Sequence, residues 1–91
     1  MTWASWTTVR VYAGRGGVST DTVGVITGEL DVHTTWVDGE ARVAVQHSGA
    51  SDWFPMSGSP VPCSSEEASR VLHDAVVEAV RSGGGATVPR Q

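Results

Sequence analysis

Ninety-one residues are enough for one small domain and too few for two, and a chain this short buries only a little over ~60 % of its unfolded surface. That leaves little room for an enclosed substrate pocket, which favours an interaction or binding module over a self-contained enzyme. Six arginines, no lysine and ten acidic residues give a net charge of −4, a poor footprint for phosphate backbones, so nucleic acid is disfavoured.

The single cysteine, Cys63, excludes an internal disulfide framework and a multi-cysteine zinc site. No apolar run approaches the ~18 residues of a membrane span. The first dozen residues, MTWASWTTVRVY, lack the charged lead-in and apolar stretch of a signal peptide, and the expected location is the cytoplasm. Lysine and asparagine are absent and isoleucine occurs once. These residues have AT-rich codons, so the usage suggests a GC-rich bacterial genome.

Trp6 to Ala13 alternates with Val9, Val11 and Ala13 on one face and Thr8, Arg10 and Tyr12 on the other, which predicts a half-buried strand. Gly14-Arg15-Gly16-Gly17 ends it in a turn. A loop that cradles phosphate opens directly into a helix; here Val18-Ser19-Thr20 follows, and the phosphate reading fails. Thr22 to Thr27 is rich in Thr, Val and Ile and predicts a second strand, with Gly28 at a bulge or bend.

Asp31 to Val37 and Glu40 to His47 flank Asp38-Gly39, the dipeptide of a two-residue type I′ hairpin turn. That turn pairs Trp36 with Ala41, Thr34 with Val43 and Val32 with Val45 on an apolar face. Thr35 with Arg42 and His33 with Ala44 fall on the opposite one. Ser48 to Ser51 is a further turn. Past it, Phe54 and Met56 fall opposite Val45 and Val43, Trp53 points away from the apolar face, and Pro55 belongs at a sheet edge.

Gly58-Ser59-Pro60-Val61-Pro62 is an extended connector. Ser64 with Glu67 has the spacing of a capping box, with Cys63 and Ala68 at the positions of a hydrophobic staple. Ala68, Val71, Leu72, Ala75, Val76, Ala79 and Val80 form one helical stripe. Burial of its four larger side chains would contribute roughly 6–12 kcal/mol before ordering entropy. Gly83 stops the helix. The expected organisation is one domain over residues 1–83, an antiparallel sheet of four or five strands with the helix across one face (an α+β fold), and a flexible tail over 84–91.

No residue set forms a catalytic constellation. Cys63 precedes a helix, whose dipole lowers a thiol pKa, but His73 lies about 13 Å further along the axis, too far to serve as its base. His33, His47 and His73 have no metal-ligand spacing, and His73 is assigned to the solvated side of the helix. Glu29, Asp31, Asp38 and Glu40 read as a solvated acidic edge. Trp36 falls on the apolar face as a core residue. Trp53 and Trp6, with Tyr12, Arg10, His33 and Arg42, are the candidate binding surface on the open face, because exposed Trp, Tyr and Arg are enriched at interface hot spots. The expected function is a non-enzymatic interaction or regulatory module without cofactor or metal, its partner another protein or a second copy of itself. The alternatives are a small ligand held between two chains or under the Pro60–Pro62 connector, and sheet-mediated nucleic-acid binding.

Overall fold

The computed structural model describes residues 2–90. The strands are β1 (Trp3–Tyr12), β2 (Val18–Thr20), β3 (Gly24–Ile26), β4 (Glu29–Val37), β5 (Glu40–His47), β6 (Phe54–Pro55) and β7 (Val61–Pro62), followed by α1 (Glu66–Ser82). A five-stranded sheet runs β1-β4-β5-β6, with β7 also on β5, and β2 and β3 form a separate pair. All the ladders are antiparallel, and α1 packs on β1 and β4. The α+β expectation holds.

The β4–β5 hairpin has the register that its turn dictates: Trp36 faces Ala41, Thr34 faces Val43 and Val32 faces Val45. Asp38 and Gly39 both take positive φ, 48° and 83°, as a type I′ turn requires. Phe54 pairs with Val45, and the Met56 N–H donates to the Val43 carbonyl at 2.9 Å. Between β6 and β7 the ladder is interrupted, and there the Val43 N–H donates to Ser59 Oγ at 2.8 Å.

β1 departs from its alternation. Its register on β4 slips between Thr8 and Val11, and Arg10 adopts φ 57°. Two residues, Val9 and Arg10, therefore stand opposite Asp31, and side chains before the bulge point the other way from a simple alternation. Thr8 turns inward and Val9 outward, 59 % exposed. The Asp31 carboxylate holds the bulge, accepting from the Arg10 N–H at 3.1 Å, Ser48 Oγ at 2.7 Å and Gln46 Nε2 at 3.0 Å. The Ser48 hydroxyl first, then the Arg10 and Gln46 amides, keep this carboxyl below the usual carboxylate range. Asp31 is thus a buried structural anion, not part of a solvated edge.

The helix is capped one residue later than the Ser64–Glu67 spacing predicts. Ser65 is the N-cap, its Oγ accepting from the Ala68 N–H at 3.1 Å. Cys63 is still tied to the sheet: its N–H donates to the Gly39 carbonyl and its own carbonyl accepts from Trp36 Nε1, both at 2.8 Å. The chain is free to turn only after it. Cys63 and Ala68 both pack at the core, although not at the staple positions. The buried face of α1 is Ser69, Leu72, His73, Val76, Val77 and Val80, rotated from the predicted stripe, so Val71 is 50 % exposed.

Residues 84–88 are not a free tail in this structure, and position 91 of the expected tail lies outside the described residues. Gly84, Gly85 and Ala86 donate to the carbonyls of Arg15, Gly16 and Gly17, and Ser19 donates back to Ala86. Val88 is bonded to Ser57 and buried in the core. The strand at this edge, β2, escapes a reading by alternation because its three residues carry too little pattern. The two glycine runs interlock: a Cβ on Gly14 would overlap the carbonyls of Arg81 and Ser82. Gly14→Ala is therefore expected to lower unfolding free energy by about 1–3 kcal/mol through steric overlap, read as a lower urea midpoint, while the loop substitution Ser51→Ala leaves it unchanged.

Candidate functional site

The helix covers the face of the sheet that carries Val32, Thr34, Trp36, Val43 and Val45. The other face has no element laid across it among the described residues. There the register sets Ser5, Thr35 and Arg42 in one row and Thr7, His33, Ala44 and Pro55 in the next. A concavity of about 460 Å³ lies over the β4–β6 part of these rows, lined by His33, Thr35, Arg42, Trp53, Pro60 and Asp21 among others.

Each wall has an identifiable support. Trp53, just before β6, is 43 % exposed, and its ring lies 5.8 Å from that of His33 at a 55° tilt, a tilted contact of the kind aromatic quadrupoles favour. His33 Nδ1 shares a hydrogen bond with Thr7 Oγ1 at 2.7 Å, which orients the ring across the strand pair. Arg42 Nη2 donates to Glu40 Oε1 at 2.8 Å, and both side chains are exposed, so this pair contributes ~0–1 kcal/mol. The rest of the guanidinium faces solvent beside the concavity. On the far side, the Asp21 N–H donates to the Pro55 carbonyl at 3.0 Å and its carboxylate accepts from Ser57 Oγ at 2.9 Å.

The structure therefore brings together three of the predicted surface residues, Trp53, His33 and Arg42. Tyr12 and Arg10 are exposed but lie at the other end of β1, outside the concavity. Tyr12 pairs with Glu29, whose carboxylate pushes the phenol above its ordinary value. Trp6 is a correction. The bulge turns it toward the helix, where its Nε1 donates to Ser69 Oγ at 2.9 Å. Thr35 and Asp21 line the concavity without having been singled out by sequence. Thr35 was accessible through its pairing with Arg42, whereas Asp21 arrives through a contact with β6 that no local pattern encodes.

His73 is the second correction. It is 5 % exposed, with Nδ1 2.8 Å from Thr34 Oγ1 and Nε2 2.8 Å from Thr8 Oγ1. A neutral ring has one donor and one acceptor nitrogen, and a hydroxyl serves either, so both bonds form without a charge. Burial pushes the His73 pKa down, assisted by the charge of His33 and partly offset by Asp74. The Cys63 thiol is also buried, its Sγ 3.7 Å from the Ser65 carbonyl. No group of three or more His, Cys, Asp or Glu side chains stands together as a metal set among the described residues. Among the described residues no helix is long and apolar enough to cross a membrane.

A histidine held neutral binds fewer protons folded than unfolded once pH falls below its unfolded value of ~6.5. Its contribution is complete above that pH and is lost as pH falls through the depressed folded pKa. His73→Gln should thus be clearly less stable than the parent at pH 7.5, and the gap between their urea midpoints should narrow by pH 5.

No protein-family model, curated protein or solved structure matches this chain.

Proposed function

We propose that this protein is a small non-enzymatic interaction module that docks a partner protein on the open face of its sheet. The observation that carries this reading is the Trp53–His33 pair beside Arg42, an exposed aromatic anchor with a cation at its rim on a face that no element covers among the described residues. Interface hot spots are enriched in Trp and Arg and sit in pockets that exclude water on binding. Two neighbouring features suit a polypeptide ligand: Thr35 supplies a hydroxyl to the lining, and Asp21, also in the lining, carries the charge opposite to that of Arg42. The same volume falls within the ~300–1,000 Å³ range of small-molecule sites. This favours a bound metabolite as the second reading, which native mass spectrometry of the purified protein would reveal as extra non-covalent mass.

The test places a photo-crosslinking amino acid at Thr35, in the floor, or at Asp74, on the exposed side of α1, in cells that naturally express the protein. A discrete covalent adduct is expected from position 35 and none from position 74. Trp53→Ala should reduce that adduct at least about fivefold while costing only ~1 kcal/mol of stability, because the ring is already part-solvated. An adduct indifferent to Trp53→Ala, or none from position 35, would sink the reading.

A further inference from the structure

The outer edge of β1 is a second surface, separate from the open face. Its bonding phase follows from the hairpin. The Ser48 N–H donates to the Glu29 carbonyl, so the odd-numbered residues of β4 bond toward β5 and the even-numbered ones toward β1. Thr8, Trp6 and Ala4 are the partners of Val32, Thr34 and Trp36 and are bonded inward. The N–H and C=O groups of Trp3, Ser5 and Thr7 therefore point away from the sheet. Among the described residues no strand pairs with them.

Natural edges are guarded by charge, proline, shortness or a bulge. The opposite side of the sheet has such guards in Pro55 and Pro62, and the β2–β3 pair approaches it through the Thr20–Met56 bridge. The edge of β1 has only the bulge at Val9 and Arg10. From Thr2 to Thr8 it contains neither charge nor proline.

We infer that this edge pairs antiparallel with the same edge of a second copy, about a two-fold axis at Ser5, to make one continuous sheet. That register uses the whole regular stretch up to the bulge. It sets Trp3 against Thr7 of the second copy and Ala4 against Trp6, so on both faces each indole meets a small side chain. Centring the axis at Trp6 would instead oppose two indoles, and at Ala4 would shorten the ladder. A two-fold contact needs such self-complementarity, whereas an unrelated strand would give no reason for large and small residues to alternate about one point. The open-face concavity lies on β4, β5 and β6 and remains free, so the dimer stands or falls independently of the docking reading.

Sedimentation equilibrium of the full chain tests this. Wild type is expected to sediment as a dimer. Ser5→Lys, which sets like charges opposite each other at the axis, should weaken it at least about tenfold, and Val71→Lys on the exposed helix face should not. Ser5→Cys should form an interchain disulfide on mild oxidation, since paired Cα atoms about 5.5 Å apart suit the bond; Val71→Cys should not. Circular dichroism establishes that each variant is folded. A wild-type monomer at about 0.5 mM, or a dimer insensitive to Ser5→Lys with no Ser5→Cys crosslink, overturns the proposal.

Discussion

The bulge in β1 and the carboxylate that holds it determine how the two layers meet. Asp31 accepts three hydrogen bonds at one point of the sheet, and the Arg10 amide, which has no place in the regular ladder, is one of the donors. Because one extra residue is absorbed there, Trp6 and Thr8 face the helix together with Val11. Those inward polar groups then require partners, since a buried hydroxyl or indole N–H without one costs about 1–3 kcal/mol. Ser69 and His73 supply them. A polar row thereby runs through the helix–sheet contact beside the apolar core of Leu72, Val76 and Val80, and sets the rotation of α1 that volume alone would leave loose.

Closure of the other end depends on backbone rather than side chains. Glycines at 14, 16, 17 and 83–85 allow two chain segments to approach at hydrogen-bonding distance, with Gly14 bonded to Val80 and Gly84 to Arg15. This contact carries the chain beyond the helix back alongside β2, and buries Val88 against Gly58 and Ser57. All of these elements lie beside or on the helix side of the sheet. Among the described residues, the connections leave the His33–Thr35–Arg42 side uncovered.

What was legible in the sequence were features encoded by short patterns. Asp38-Gly39 specifies both the turn and, through it, the pairing of Thr35 with Arg42 and the outward aim of His33, so most of the concavity's floor could be written down in advance. The placement of Trp53 followed from the same register. What was not legible depends on contacts distant in sequence. Nothing local to Val9-Arg10 marks a bulge, because its stabilising carboxylate is 21 residues away, and the alternation of Val9, Val11 and Ala13 argues against one. Trp6 was consequently assigned to the wrong face. His73 looked solvated by helical spacing because hydrophobicity ranks a histidine as polar; its burial is intelligible only once Thr8 and Thr34 stand opposite it.

The bulge also divides β1 by role. Beyond it, Val11 is a core side chain and Tyr12 pairs with the acidic Glu29, so the strand there serves the interior and ends in charge. Before it, Ala4, Trp6 and Thr8 face the helix while Trp3, Ser5 and Thr7 bond outward, and no charge interrupts the run. A straight ten-residue edge would have offered strand pairing in several registers. A bulged one ends regular pairing at Thr8, and an edge strand of limited length with large and small residues balanced about its middle has few ways to pair. The same interruption that turns Trp6 and Thr8 toward the helix thus narrows what the exposed edge can accept. One local irregularity thereby shapes both the core packing and the length of the regular edge.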